Sequence, residues 1–197
     1  MGIQVLLEEI GVPYDLVQST IDMNEPRPPE QLIINPNGWI PVLIGDVAIY
    51  EAAAITIYLC DQYPLAGLAP RPDQMTRGLF LQTLVYFSSS IQNAFQLTYY
   101  PDRFAETSDG YSGVMQRGIR RLRETWQVID TQIGENQWVL GDKFSAVDIY
   151  LFMLTTWLKD SRGHPSVQDF PSVARIAKKV LLRPATLKVY SEALQIK

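Results

Sequence analysis

The chain has 197 residues, a formal net charge of -4 and a hydrophobic fraction of 47%. This length allows one or two domains with a buried core, and the acidic balance gives no reason to expect a nucleic-acid partner. No apolar run is long enough to span a bilayer, and the first residues lack the pattern of a secretory signal. With one cysteine, an internal disulfide is excluded. We therefore expect a cytoplasmic protein that does not engage membranes.

The first segment with helical periodicity begins near the N-terminus. Residues 3–10 carry apolar side chains at helical spacing, and Gly11 and Pro13 end the pattern, so we predict an amphipathic helix. Residues 14–19 follow as a predicted strand.

A hairpin and a second helix form the most informative stretch of the sequence. The apolar runs 42–44 and 47–50 are separated by Gly45 and Asp46, which is typical of a tight β-hairpin. A helix is predicted over residues 52–63, and Pro64 ends it. The unpaired N–H groups at such a helix start favour a ligand carboxylate.

Two further features beside this helix favour a peptide ligand. Glu51 could hold an ammonium group, and a cis bond between Ile40 and Pro41 would present the Ile40 backbone for strand-like pairing. Together with the helix start, these features predict a site for a small zwitterionic thiol peptide. Each of them is also compatible with an ordinary hairpin and helix that bind nothing.

Beyond Pro64 the sequence predicts helices only. Residues 65–73, with two more prolines and a glycine, are predicted to be a linker, and Asp73 is a candidate cap for the next helix. Two long amphipathic helices are predicted around residues 80–100 and 115–133, and an almost wholly apolar one over 147–158. Ser145 and Asp148 are predicted to form a capping box at the start of the apolar helix. Pro171 and Pro184 are each predicted to open a further helix.

One set of motifs occurs together across nearly the whole chain. It comprises Asn35, Pro36, Gly38, Ile40, Pro41, Glu51, Ala52, Ala53, Ala54, Ile55, Tyr58, Leu59, Tyr63, Pro64, Gly141, Ser145, Asp148, Arg183 and Pro184. With these residues the chain resembles the cytosolic glutathione S-transferases of bacterial type. The resemblance implies an α/β thioredoxin-like domain at 1–64, a linker at 65–73, an all-α helical bundle at 74–197, and a homodimer.

The resemblance also implies roles for individual residues. The backbone of Ile40, before Pro41, would pair with the cysteinyl part of glutathione. Glu51 and the N–H of Ala52 would hold the γ-glutamyl end, although the family usually places Ser or Thr at that position. Trp39 stands where Lys or Gln often reaches the glycyl carboxylate. The candidates for lining a site for a small hydrophobic electrophile are Phe95, Tyr99 and Tyr100, but aromatic side chains at helical spacing are also typical of a core.

The thiol-activating residue is not identified. In the family, a strand and a loop with Tyr, Ser or Cys precede the first helix, and this sequence shows neither, so we expect a truncated sheet that has three strands or borrows one. The remaining candidates are weak: Cys60 on an apolar helix, the serines at 88–90, and His164, a lone histidine that makes no metal site. Two functions stay open. One is conjugation of glutathione to an apolar electrophile, and the other is a non-catalytic binding or scaffold role.

Overall fold

The computed structural model describes residues 1–19 and 26–195. Helix α1 spans Gly2–Ile10 and ends at Gly11, whose positive φ of 80° places it in the left-handed region that glycine favours. The predicted helix at this position is confirmed.

Residues 14–19 do not form a strand, so that prediction is wrong. Leu16 and Val17 in this segment are 58% and 81% exposed. A β-strand needs a hydrogen-bonded neighbour, and the sheet of the described residues offers none to this segment.

The sheet is a single antiparallel hairpin among the described residues. Strand β1 covers Val42–Ile44, strand β2 covers Ala48–Tyr50, and Val42 pairs with Tyr50. The expectation of three strands within the chain is therefore wrong for the described residues, because residues 14–19 remain outside the sheet. The other expected arrangement, a strand borrowed from a neighbouring chain, stays a prediction. Helix α2 (Pro29–Ile34) precedes the hairpin, and helix α3 (Ala52–Gln62) follows it directly.

The second half of the described chain is helical. Its helices are α4 (Thr76–Tyr86), α5 (Gln92–Tyr99), α6 (Tyr111–Ile133), α7 (Ala146–Thr155), α8 (Pro171–Leu181) and α9 (Pro184–Gln195). A π-helical turn, Phe87–Ile91, joins α4 to α5, so the predicted long helix is continuous but widened at its centre. Asp73 does not cap α4; it pairs instead with Arg71 at 3.0 Å.

Helix α7 lies at the centre of the bundle, as its apolar sequence predicts. Nearly all of its side chains are buried, and the capping box of Ser145 and Asp148 is formed. The Asp148 carboxylate accepts hydrogen bonds from the Ser145 N–H at 2.8 Å, the Ser145 hydroxyl at 3.0 Å and the Val139 N–H at 2.8 Å. Burial raises the pKa of Asp148 to about 6, although these three donors oppose that shift.

Ion pairs connect α1 to the last helices. The Arg183 guanidinium donates two hydrogen bonds to the Glu9 carboxylate, at 2.6 and 2.7 Å, and its carbon lies 3.7 Å from the centre of the Phe144 ring. Lys188 donates to Glu8 at 2.8 Å. These contacts hold α1 against the helical bundle. Because α3 packs on α1, they also help to position α3. None of the helices in residues 1–19 and 26–195 combines the length and apolarity needed to cross a bilayer.

Candidate functional site

The start of α3 has an unusual backbone conformation. Glu51 occupies the N-cap position with φ 69° and ψ 113°, and no side chain caps the helix. A non-glycine residue at such a φ costs on the order of 1–3 kcal/mol, which surrounding packing must compensate. The Glu51 side chain is exposed, whereas Ala52 is buried. The positive end of the α3 dipole therefore meets a solvent-accessible carboxylate at this point.

The residues before β1 lie at the same end of the hairpin. The Ile40–Pro41 peptide bond is cis, as the sequence analysis expects, and Ile40 is 53% exposed. Because Val42 pairs with Tyr50, the residue pair that precedes β1 lies beside the residue pair that follows β2. The structure thus brings Ile40 and Pro41 together with Glu51 and Ala52, the four residues assigned to the cysteinyl and γ-glutamyl parts of the ligand.

The loop before Ile40 is held by the side chain of Asn35. This residue is buried; its amide donates to the Trp39 carbonyl at 2.8 Å, and its side-chain oxygen accepts from the Asn37 N–H at 3.1 Å. Gly38 follows with φ 66°, and a Cβ there would lie 2.7 Å from Cγ of Arg27. Local hydrogen bonds and close packing therefore fix the position from which Trp39 projects.

Trp39 contacts the helical half of the chain. Its ring centre lies 6.3 Å from that of Tyr100, which follows the last residue of α5. Of the predicted electrophile-lining residues, Tyr100 is thus next to the predicted glutathione-binding segment. Tyr99 is partly buried, and its hydroxyl donates to the Trp157 carbonyl at 2.8 Å.

The prediction that Phe95 lines the site for a hydrophobic electrophile is wrong. It is 2% exposed and packs against Trp157 at 5.6 Å and His164 at 5.7 Å between ring centres. Because its side chain points into the bundle, it belongs to the core and does not line an accessible surface. The spacing of apolar residues correctly predicts a helix here, but it does not indicate which side of α5 faces the bundle and which side faces the cleft.

Four of the five candidates for thiol activation, Cys60, Ser88, Ser89 and His164, are buried or hydrogen-bonded elsewhere, and Ser90 stays a prediction. Cys60 is 5% exposed, and burial raises the pKa of its thiol to about 12, so it stays protonated at neutral pH. The hydroxyls of Ser88 and Ser89 both donate to the Val85 carbonyl, at 3.1 and 2.7 Å. His164 is buried, and its Nε2 is hydrogen-bonded to the Thr98 hydroxyl at 2.9 Å.

The structure adds residues that the sequence analysis missed. Tyr150 on α7 is buried, and its hydroxyl donates to Gln92 at 2.5 Å. Burial raises the pKa of Tyr150, and the negative charge of Glu51 raises it further. Tyr150 lines a small cavity together with Ala52 and Thr56, so it lies behind the start of α3. Arg27 and Arg103 lie over the Trp39 ring. These are long-range contacts, and no local sequence pattern signals them.

Comparisons with known proteins identify the family of this chain. The model of the glutathione S-transferase N-terminal domain matches residues 1–61, and that of the C-terminal domain matches residues 112–177. Glutathione S-transferase F10 of Arabidopsis thaliana is 30% identical over 170 residues, which cover 78% of this chain and 74% of the relative.

Two further relatives extend the comparison. The transcriptional regulator URE2 of Saccharomyces cerevisiae is 25% identical over 224 residues, covering 94% of this chain and 63% of the regulator. A sphingomonad glutathione S-transferase, solved in complex with glutathione, superposes with a TM-score of 0.79 at 25% identity, covering 94% of this chain and 89% of that one. The predicted fold class, a thioredoxin-like domain followed by a helical bundle, is thereby confirmed. The chain belongs to the glutathione S-transferase family.

Proposed function

We propose that this chain binds glutathione along the edge formed by Ile40 and the start of α3. In this arrangement the Ile40 backbone pairs with the cysteinyl residue, and Pro41 fixes the direction of that backbone. The Ala52 N–H and the α3 dipole receive the γ-glutamyl carboxylate, and Glu51 receives the ammonium group. The observation that carries the proposal is the pairing of Val42 with Tyr50, which brings these groups to one end of the hairpin.

The reaction proposed for this site is glutathione conjugation. The glutathione sulfur attacks an electrophilic carbon of a small apolar substrate, a C–S bond forms, the leaving group departs with its electron pair, and the thiol proton passes to solvent. Tyr100, beside Trp39, and the partly buried Tyr99 remain the aromatic candidates for contact with that substrate. We propose a low rate, because Cys60 is buried and protonated, Ser88 and Ser89 are hydrogen-bonded within their helix, and losing one activating contact commonly costs about 100- to 1000-fold.

Two measurements on the same preparation test this proposal. Calorimetry with glutathione should give saturable binding with a Kd on the order of a millimolar. Absorbance assays with an activated chloronitrobenzene should then give a slow conjugation rate that exceeds the rate without protein. Absence of binding heat at glutathione concentrations well above this Kd would refute the binding proposal. Turnover comparable to that of an efficient transferase would refute the proposed low conjugation rate.

The alternative function is a non-catalytic binding or scaffold role. It is favoured by the residues at two ligand positions: Ala52 has no hydroxyl, and Trp39 has no flexible polar group for a carboxylate. The similarity to the regulator URE2 is compatible with it. Saturable glutathione binding with no conjugation above background, across several electrophile classes, would favour this alternative.

We further propose that the protein is a cytoplasmic homodimer with no nucleic-acid partner. Helix α4 exposes Leu79 and Val85, and α6 exposes Val128. Burial of such side chains at a two-fold interface is a common reason for their exposure in a single protomer. Light scattering at micromolar concentration should give twice the mass of the chain, and a monomer would contradict the proposal. The domain limits 1–64, 65–73 and 74–197 likewise stay predictions.

A further inference from the structure

Arg162 lies at the end of a run of aromatic side chains that begins beside the proposed ligand edge. Trp39 precedes Ile40 in the chain, and its ring centre lies 6.3 Å from that of Tyr100. The ring centres of Tyr100 and Tyr99 are also 6.3 Å apart. The guanidinium carbon of Arg162 lies 4.3 Å from the centre of the Tyr99 ring. We call these four residues, Trp39, Tyr100, Tyr99 and Arg162, the aromatic–arginine run.

The Arg162 guanidinium is held in place by two contacts. It belongs to the segment between α7 and α8 and lies over the Tyr99 ring, and its Nη1 donates to the Thr98 carbonyl at 3.3 Å, near the end of α5. The Tyr99 hydroxyl in turn donates to the Trp157 carbonyl at 2.8 Å, so the ring beneath the guanidinium is fixed as well. Restricting an arginine before a ligand arrives lowers the entropic cost of binding.

The positive charge of Arg162 has no counter-charge in the part of the chain that the structure describes. Arg162 is exposed, and none of the described carboxylates forms an ion pair with it. By contrast, Arg117, Arg121 and Arg123 on α6 each pair with a carboxylate. A guanidinium has five N–H donors that lie in its plane and match the two oxygens of a carboxylate. Its single hydrogen bond to Thr98 therefore leaves donors for a ligand.

An electrophile with an apolar ring and a carboxylate matches the order of groups along this run. In the proposed function, the glutathione sulfur lies near Ile40, because the cysteinyl residue pairs with the Ile40 backbone. A ring attached to that sulfur then lies beside Tyr100, and Tyr99 and Arg162 come next. A carboxylate on the far side of the ring is therefore directed toward the guanidinium.

We infer that Arg162 binds a carboxylate of the electrophile, so that the site takes aromatic acids that react at a carbon across the ring from the acid group. This inference rests on the proposed function and narrows its apolar electrophile to one substrate class. Arg162 determines specificity by contacting the distal group and takes no part at the reacting atoms. The sequence analysis does not single out Arg162, because it reaches this position only through the packing of its segment on the end of α5.

The test uses two conjugates of the kind that this reaction would form. S-(4-carboxybenzyl)glutathione and S-(4-carbamoylbenzyl)glutathione have nearly the same shape and differ in the charge at the far end of the ring. Their binding, and that of glutathione, is measured by calorimetry for the wild type, Arg162→Gln and Arg71→Gln. Arg71→Gln is the matched control, because Arg71 is exposed before α4, at the opposite end from Tyr99 of the continuous helix that α4 and α5 form. Thermal unfolding of each variant checks that the fold is retained.

We expect the wild type to bind the carboxybenzyl conjugate about five- to tenfold more tightly than the carbamoylbenzyl conjugate, and added salt should decrease this preference. Arg162→Gln should abolish the preference by weakening the binding of the carboxybenzyl conjugate alone, and Arg71→Gln should retain it. If Arg162→Gln does not fold, Arg162→Met, which keeps an unbranched side chain over Tyr99, is measured in its place.

Three results would overturn this inference and leave the proposed function intact. They are equal wild-type affinity for the two conjugates, binding of glutathione but of neither conjugate, and a preference that persists without Arg162. If the wild type binds neither glutathione nor the conjugates, the proposed function fails, and the role of Arg162 fails with it.

Discussion

The substitution Glu51→Gln tests the orientation of the ligand. It removes one negative charge at the N-cap of α3 and keeps nearly the same side-chain shape. A charge pair 4 Å apart is worth about 1 kcal/mol in water and about 4 kcal/mol near a protein surface. Because Glu51 is exposed, solvent screening keeps its contribution to ligand affinity near the lower end, at about 1–2 kcal/mol. Glutathione affinity should therefore fall about five- to thirtyfold, as measured by calorimetry.

Asp46→Asn provides the control for this experiment. Asp46 is exposed in the turn between β1 and β2, at the opposite end of the hairpin, and its substitution changes the net charge equally. The turn lies more than a Debye length from Glu51 along the strands at about 0.15 M salt, so glutathione affinity should be unchanged. The difference in glutathione affinity between wild type and Glu51→Gln should also decrease as salt is added. Equal affinity of wild type and Glu51→Gln at low salt would refute the placement of the ammonium group.

The remaining predictions concern one ligand contact and two buried groups. Ala52→Ser should raise glutathione affinity by up to about tenfold in calorimetry, since the hydroxyl adds one charge-assisted hydrogen bond at the start of α3; unchanged affinity would place the carboxylate elsewhere. Asp148→Ala should lower the free energy of unfolding by about 2–4 kcal/mol in urea titrations, because the buried N–H groups of Ser145 and Val139 lose their acceptor; a loss below about 0.5 kcal/mol would contradict this. The third prediction concerns His164, whose pKa is lowered by burial, so the native state favours the neutral ring. Its contribution to stability is present above its ordinary pKa of 6.5 and is lost as pH falls through the lower folded value. The stability difference between wild type and His164→Asn should therefore shrink from about pH 7.5 to about pH 5, and a difference that grows would contradict the neutral assignment.

Elements fixed by local chemistry were predicted well from the sequence. The capping box of Ser145 and Asp148, the proline that opens α8 and the hairpin turn at Gly45 each depend on residues within a few positions of one another. The Ile40–Pro41 bond also followed from a short motif. Such features can be predicted from a single sequence because the residues that interact in them are close along the chain.

The failed predictions depend on distant partners. Residues 14–19 have strand-like composition, but strand formation needs a neighbouring strand, and none of the described residues supplies it. Phe95 has the spacing of a helix face, but which face meets the bundle is decided by the packing of Trp157 and His164. The contacts of Arg103 with Trp39 join residues more than sixty positions apart in the chain, and no local pattern encodes them.

The most direct test of the account is a map of the glutathione contact surface by NMR. Amide resonances of the isotope-labelled wild-type chain are followed while glutathione is added. We predict saturable shifts at the amides of Ile40 and Ala52. Saturable shifts confined to other surfaces, with Ile40 and Ala52 unaffected, would contradict the claim that the cis-proline edge and the start of α3 form the glutathione site.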